Sequence, residues 1–166
     1  MERAEIQVSG IVQGVGFRPF VYRLATKYNL QGFVRNMGDA GVQIVVEGDK
    51  EKIVEFIQAL RSEKPPLSRI ESLAIFWQQP SKKFKDFRVQ VSESRSMGLP
   101  SVIPPDLALC DDCLGEMLNE NDRRYHYPFI TCVNCGPRFT IIEELPYDRI
   151  RTSMKSFPLC PECLRE

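Results

Sequence analysis

No apolar run in these 166 residues approaches the roughly 18 needed to span a bilayer, so no membrane partner is expected. The start, Met-Glu-Arg-Ala-Glu-Ile, moves straight into a strand-like alternation and lacks a signal-peptide core, and the expected location is the cytoplasm. Net charge is absent too, because 22 Lys and Arg balance 22 Asp and Glu. The first 109 residues contain no cysteine. No Gly-Lys-Ser/Thr sequence occurs, which argues against an ATP-binding P-loop.

The charge balance conceals two unlike halves. Residues 1–92 carry 14 basic and 10 acidic side chains, a net +4, whereas residues 93–166 carry 8 and 12, a net −4. The basic half suits a small anionic ligand. The acidic half is a poor match for nucleic acid, despite basic spots at Arg123-Arg124 and Arg149/Arg151, and no nucleic-acid partner is expected. All six cysteines fall in this second half as three Cys-x-x-Cys pairs: Cys110/Cys113, Cys132/Cys135 and Cys160/Cys163. In a reducing compartment such pairs bind metal more often than they form disulfides.

Along the first half the pattern reads β-α-β-β-α-β-β. Ile6, Val8 and Val12 alternate with polar residues over 4–12, which predicts a strand. Phe17, Phe20, Val21, Leu24, Ala25 and Tyr28 make one helical stripe, with Pro19 suited to the first turn. Residues 31–36 and 42–47 read as strands around a turn at 37–41. Asp49 can cap a second helix that buries Ile53, Phe56, Ile57 and Leu60, and strands are expected at 70–78 and 86–91. The expected class is α+β, a ferredoxin-like antiparallel sheet with both helices on one face. Tyr28, Phe33 and Trp77 read as packing residues, Arg23 and Arg35 as surface charges. Residues 93–109, rich in Ser and Pro, read as a linker, and 110–166 as a small irregular metal-binding module.

Gln13, Gly14, Val15, Gly16, Phe17 and Arg18 link the first strand to the first helix. Amides at a helix start lack intrahelical acceptors and carry partial positive charge, and glycines let the backbone curl around a phosphate. Arg18 can offer its guanidinium fork to two phosphate oxygens. On residue types alone, Arg18 could equally be a surface arginine and Asn36 a turn residue. Gly10-x-Val12-Gln13-Gly14-Val15-Gly16-Phe17-Arg18, with Gly32-Phe33-Val34-Arg35-Asn36 and Asp39-Ala40-Gly41-Val42, resembles the acylphosphatase family. Ala40 departs from the family's usual Asp-Gly after the asparagine. The resemblance implies hydrolysis of acyl phosphates by residues 1–92 without a cofactor. Residues 13–18 would hold the phosphoryl group, and Arg18 and Asn36 would be catalytic, Asn36 by holding the attacking water.

Cys110-x2-Cys113, eighteen residues, then Cys132-x2-Cys135 has the spacing of a four-thiolate structural zinc site, remote from the phosphate loop. Thioredoxin-like redox chemistry lacks its βαβ context, and His126 reads as a bystander. Cys110-Asp-Asp-Cys113-Leu-Gly-Glu116 recurs as Cys160-Pro-Glu-Cys163-Leu-Arg-Glu166, so Cys160 and Cys163 read as half of a second site. Sequential pairing of the first two pairs is favoured by their self-sufficient spacing, while an interleaved scheme joining the second pair to the third stays open. Pro104-Pro105-Asp106, Asp122-Arg123-Arg124-Tyr125-His126 and Gly136-Pro137-Arg138-Phe139, set among these cysteines, resemble the NiFe-hydrogenase maturation carbamoyltransferase family. This resemblance implies carbamoyl phosphate as substrate, further C-terminal domains, and a partner maturation protein that receives the carbamoyl group. The alternative is a non-catalytic, zinc-containing scaffold that binds a partner.

Overall fold

A computed structural model describes residues 1–81, 83–92, 108–132, 134–136, 138–144 and 148–162, and the backbone alone at Asp39. Its elements are β1 (Glu2–Ile11), α1 (Phe17–Lys27), β2 (Gln31–Asn36), β3 (Val42–Gly48), α2 (Lys50–Ser62), β4 (Arg69–Gln78), β5 (Phe87–Val89) and α3 (Asp111–Leu118). Short 3₁₀ turns lie at Gly38–Ala40, Phe139–Ile141, Arg149–Arg151 and Ser153–Ser156. The sheet order is β4-β1-β3-β2-β5. Alternation in the central strands points Ala4, Ile6 and Val8 of β1, Val34 of β2 and Val42, Ile44 and Val46 of β3 into one core. Phe17, Val21 and Leu24 of α1 and Ile53, Phe56 and Leu60 of α2 complete it. The ferredoxin-like α+β arrangement with both helices feeding one core is therefore observed.

The sheet is mixed rather than antiparallel. β1, β2, β3 and β4 pair antiparallel, but β5 runs parallel to β2, with Gly32–Val34 beside Phe87–Val89. The reason is where the chain crosses. β4 ends beside Arg3, at the same end of the sheet as Gln31, and the connection crosses that end to reach the far edge. Ser81 is pinned midway: its backbone N–H and its hydroxyl both donate to Glu47 of β3 at 2.7 Å, and Glu47 is fully buried. Phe84 then meets Phe33 of β2 edge-on at 5.9 Å. A strand entered from that end must share the direction of β2.

Four local expectations change. Asp49 stands at the N-terminus of α2 but makes no side-chain cap. Its carbonyl accepts from Ile53 N–H at 3.0 Å, and its carboxylate lies 3.7 Å from Lys52. Trp77 is 44% exposed, because it sits on edge strand β4, where Lys50 lies over its ring. Ala59 is buried where Ile57 is only half-buried. Tyr28 packs against the core as expected. Arg35, rather than a bare surface charge, donates to Gln43 at 2.7 Å.

The cysteine-bearing segment has little regular structure. Its own small cluster is Cys113, Ile130 and Cys135 with Leu109, Cys110, Met117 and Cys132 around them. Of the linker reading at 93–109, residues 93–107 lie outside the described residues, as does Cys163. Among the described residues no helix is long and apolar enough to cross a membrane.

Phe56, fully buried beneath the sheet, is the side chain on which α2 docks. Phe56→Ala should lower stability by about 3–5 kcal/mol. Urea denaturation followed by circular dichroism checks this, and a loss below about 1 kcal/mol would contradict the core described here.

Candidate active site and metal centre

The loop between β1 and α1 is built on two left-handed glycines, Gly14 at φ 69° and Gly16 at φ 72°, positions that other residues adopt only at a cost. Gly16 closes the loop by accepting from Phe20 N–H at 3.1 Å as α1 begins. Val15 and Phe17 turn their side chains into the core, so only their backbone can face a ligand. Gln13 ties the loop to the neighbouring turn, donating through Nε2 to the carbonyls of Gly38 and, at 3.0 Å, Gly41. That turn follows Asn36, the last residue of β2. Gly41 lets it close, at φ 87° and with space for a Cβ already filled by the Val8 carbonyl 2.1 Å away.

These connections bring Arg18 and Asn36 together. Asn36 is fully buried, and with its amide oxygen turned toward Arg18 it accepts from Nε and Nη2, both at 3.3 Å. Arg18 Nη1 lies 3.3 Å from Ser92 Oγ. Its Nη2 also meets the Asp148 carboxylate at 2.8 Å, with both side chains under one-fifth exposed. Sequence reasoning missed Asp148, which stands in the cysteine-bearing half with no motif spacing to link it to Arg18.

The metal-binding reading treated the two halves as remote, and their observed contact corrects this. A cavity of about 280 Å³ is lined on one side by Gln13, Gly14, Gly16 and Arg18, and on the other by Thr131, Cys132 and Gly136. Gly136, at φ 68°, approaches the Gly14 carbonyl so closely that a Cβ would stand 2.7 Å from it.

The sulfurs of Cys110, Cys113, Cys132 and Cys135 all lie within 4.8 Å of one another. Cys110 and Cys132 are 3.5 Å apart, Cys113 and Cys135 3.7 Å, and Cys132 and Cys135 3.8 Å. A disulfide requires about 2.05 Å. Four sulfurs about 2.3 Å from a tetrahedral zinc would stand about 3.8 Å apart, so the cluster fits such an ion. Among the described residues, the four that gather are those of the sequential scheme. Cys160 is exposed and faces Arg123 at 3.8 Å. Asn134 N–H points at Cys132 Sγ at 3.3 Å, and Gly136 N–H donates to the Cys132 carbonyl at 2.9 Å, which shapes a tight knuckle. His126 stacks on Tyr125 at 3.8 Å.

The donor set asks for a cation. Burial, reinforced by hydrogen bonds among the sulfurs, pushes the Cys113 thiol well above its ordinary range, and burial raises Cys132. Burial opposes ionisation of Cys135 too. Backbone hydrogen bonds involving Cys110 and Cys132, with Cys113 and the Arg138 guanidinium at 2.9 Å, nevertheless bring it down to about 6. Metal ligation by cysteine requires thiolates, so a divalent ion would offset the burial that disfavours ionisation of Cys113 and Cys132.

Two family models match the chain: Acylphosphatase over residues 4–89 and HypF finger over residues 109–142. The "Probable carbamoyltransferase HypF" of Methanocaldococcus jannaschii is 58% identical over 147 residues, which is 89% of this chain and 19% of that protein. A crystal structure of full-length HypF in the phosphate- and nucleotide-bound form superposes with a TM-score of 0.87 at 47% identity, covering 99% of this chain and 21% of that one. The acylphosphatase of Syntrophotalea carbinolica is 39% identical over 88 residues, 53% of this chain and 95% of that protein. The chain thus spans about a fifth of the HypF proteins it matches, and nearly all of an acylphosphatase is represented within it.

Gly136 brings the cysteine-bearing half directly against the loop glycine Gly14. Gly136→Ala combines a left-handed backbone, about 1–2 kcal/mol for a residue with a Cβ, with a clash against Gly14. Thermal denaturation should show a midpoint several degrees lower, and an unchanged midpoint would mean that this contact does not hold in solution.

Proposed function

The chain belongs to the acylphosphatase family through residues 4–89, and we propose that it hydrolyses acyl phosphates, with carbamoyl phosphate as its substrate. The observation that carries this reading is the meeting of Arg18, Asn36 and the left-handed glycine loop at one helix start. The phosphoryl group sits against the amides of residues 13–18 and is gripped by Arg18. Asn36 keeps its amide nitrogen as a donor that holds a water in line with the scissile bond. Water oxygen bonds to phosphorus, the bond from phosphorus to the acyl oxygen breaks, and the acyl group leaves as a carboxylate or carbamate with that electron pair. Both of the water's protons stay with the phosphate product. An acyl phosphate already has a good leaving group, so positioning and charge stabilisation suffice and no strong general base is needed.

Cys110, Cys113, Cys132 and Cys135 hold one structural zinc in this reading, supported by the finger match and the sulfur spacing. The ion orders a module with few apolar residues of its own, since zinc binding to such segments contributes roughly 10–16 kcal/mol. Cys160 and Cys163 are half of a second site in this reading. In the longer proteins named carbamoyltransferase HypF, of which this chain matches about a fifth, the carbamate released here would supply a carbamoyl transfer carried out by the remaining length, with a hydrogenase maturation protein as the acceptor in this reading.

Arg18→Ala should reduce phosphate release from carbamoyl phosphate by at least about 10²–10³-fold without loss of fold by circular dichroism. A variant retaining half the wild-type rate would remove Arg18 from the chemistry. Asn36→Ala should lower kcat far more than it weakens inorganic phosphate binding, and equal losses would instead make Asn36 a binding residue.

Elemental analysis should find about one zinc per chain, with two of the six cysteines reacting readily with a thiol reagent. A strong chelator should raise that number to six. Two tightly held zinc ions per monomer would overturn the single-site assignment.

A further inference from the structure

We infer that Asp148 is an internal anion that competes with phosphate for Arg18, so that the cysteine-bearing module sets the affinity of the phosphate site. The inference rests on the reading of Arg18 as the phosphate-binding residue. All three guanidinium nitrogens already donate: Nε and Nη2 to Asn36, Nη1 to Ser92, and Nη2 to Asp148. Asn36 and Ser92 are neutral, and Asp148 is the charged acceptor among these three. Its contact, at 2.8 Å, is also the shortest of them.

A phosphate taking two oxygens from the fork must use the same edge that faces Asp148. The two anions would then stand within a few ångströms of each other, on a partly buried arginine where solvent screens little. The carboxylate therefore leaves when phosphate enters and returns when phosphate departs. Its return gives Arg18 a partner after turnover and favours release of the product. Asp148 is held for this by its own module: its carbonyl accepts from Arg151 N–H at 2.8 Å, and the Arg151 carbonyl accepts from Glu143 N–H at 3.0 Å. Gly136 against Gly14 keeps that module beside the loop. If the ion pair is closed about nine-tenths of the time, apparent phosphate affinity is reduced about tenfold.

Calorimetric titration of the whole chain with inorganic phosphate tests this, using wild type, Asp148→Asn, Asp148→Glu and Arg18→Ala. Asp148→Asn should bind phosphate about tenfold more tightly and show correspondingly stronger product inhibition. Asp148→Glu keeps the charge and should stay within about threefold of wild type. Unchanged or weaker binding by Asp148→Asn would overturn the inference and make Asp148 a positioning residue for Arg18. Equal tightening by both variants would also overturn it, since packing rather than charge would then be responsible. If Arg18→Ala binds phosphate as well as wild type, the fault lies in the phosphate-site reading itself.

Discussion

A guanidinium that is mostly withdrawn from water must always have acceptors, and the architecture around Arg18 follows from that requirement. The glycine loop sets the charge at the start of α1, where the helix amides add to its attraction for anions. Gln13 fixes the loop to the turn after β2, and that turn sets Asn36 beneath the arginine. None of these contacts adds much stability singly. Together they leave the guanidinium few rotamers and direct its donors to one place, the condition under which a hydrogen-bond donor stabilises a transition state rather than merely a ground state.

The sheet earns its role here through distance. β1 delivers the loop and β2 delivers Asn36, yet the two strands are not neighbours, because β3 lies between them. The turn at 37–41 bridges that gap by folding back over the end of β1, which requires Gly41 to sit against the Val8 carbonyl. The buried Glu47 plays a comparable part at the opposite end of the sheet, where Ser81 holds the crossover that makes β5 parallel to β2. One end of the central strand thus serves chemistry and the other serves closure.

Legibility in the sequence followed the range over which each feature is encoded. The alternation of β1 and β3, the stripe of α1 and the glycine loop are local, and each could be read from a dozen residues. Arg18 and Asn36 were identifiable as a pair through two motifs that resemble one family, since nothing in the residues themselves shows that positions 18 and 36 meet. The direction of β5 was hidden because a three-residue edge strand takes its orientation from a crossover, not from its own pattern. Trp77 misled because an aromatic on an edge strand reads the same as one in the core. Asp148 was invisible for a stronger reason: it lies 130 positions beyond Arg18, in a stretch with no periodicity to place it.

That last gap bears on why a module so poor in apolar residues stands beside a catalytic loop. The apolar residues this segment buries, Cys113, Ile130 and Cys135 in one cluster with Ile141 apart from them, give little hydrophobic packing with which to hold a carboxylate at 2.8 Å from a chosen nitrogen. Four sulfurs converging on one point offer another source of rigidity. Their mutual repulsion as thiolates is relieved only by a cation, so the same ion that orders the knuckle would also set Gly136 against Gly14. A metal held there would need no part in the reaction to influence it: by fixing the cavity wall at Thr131, Cys132 and Gly136 it would steady the module that also carries Asp148 to Arg18.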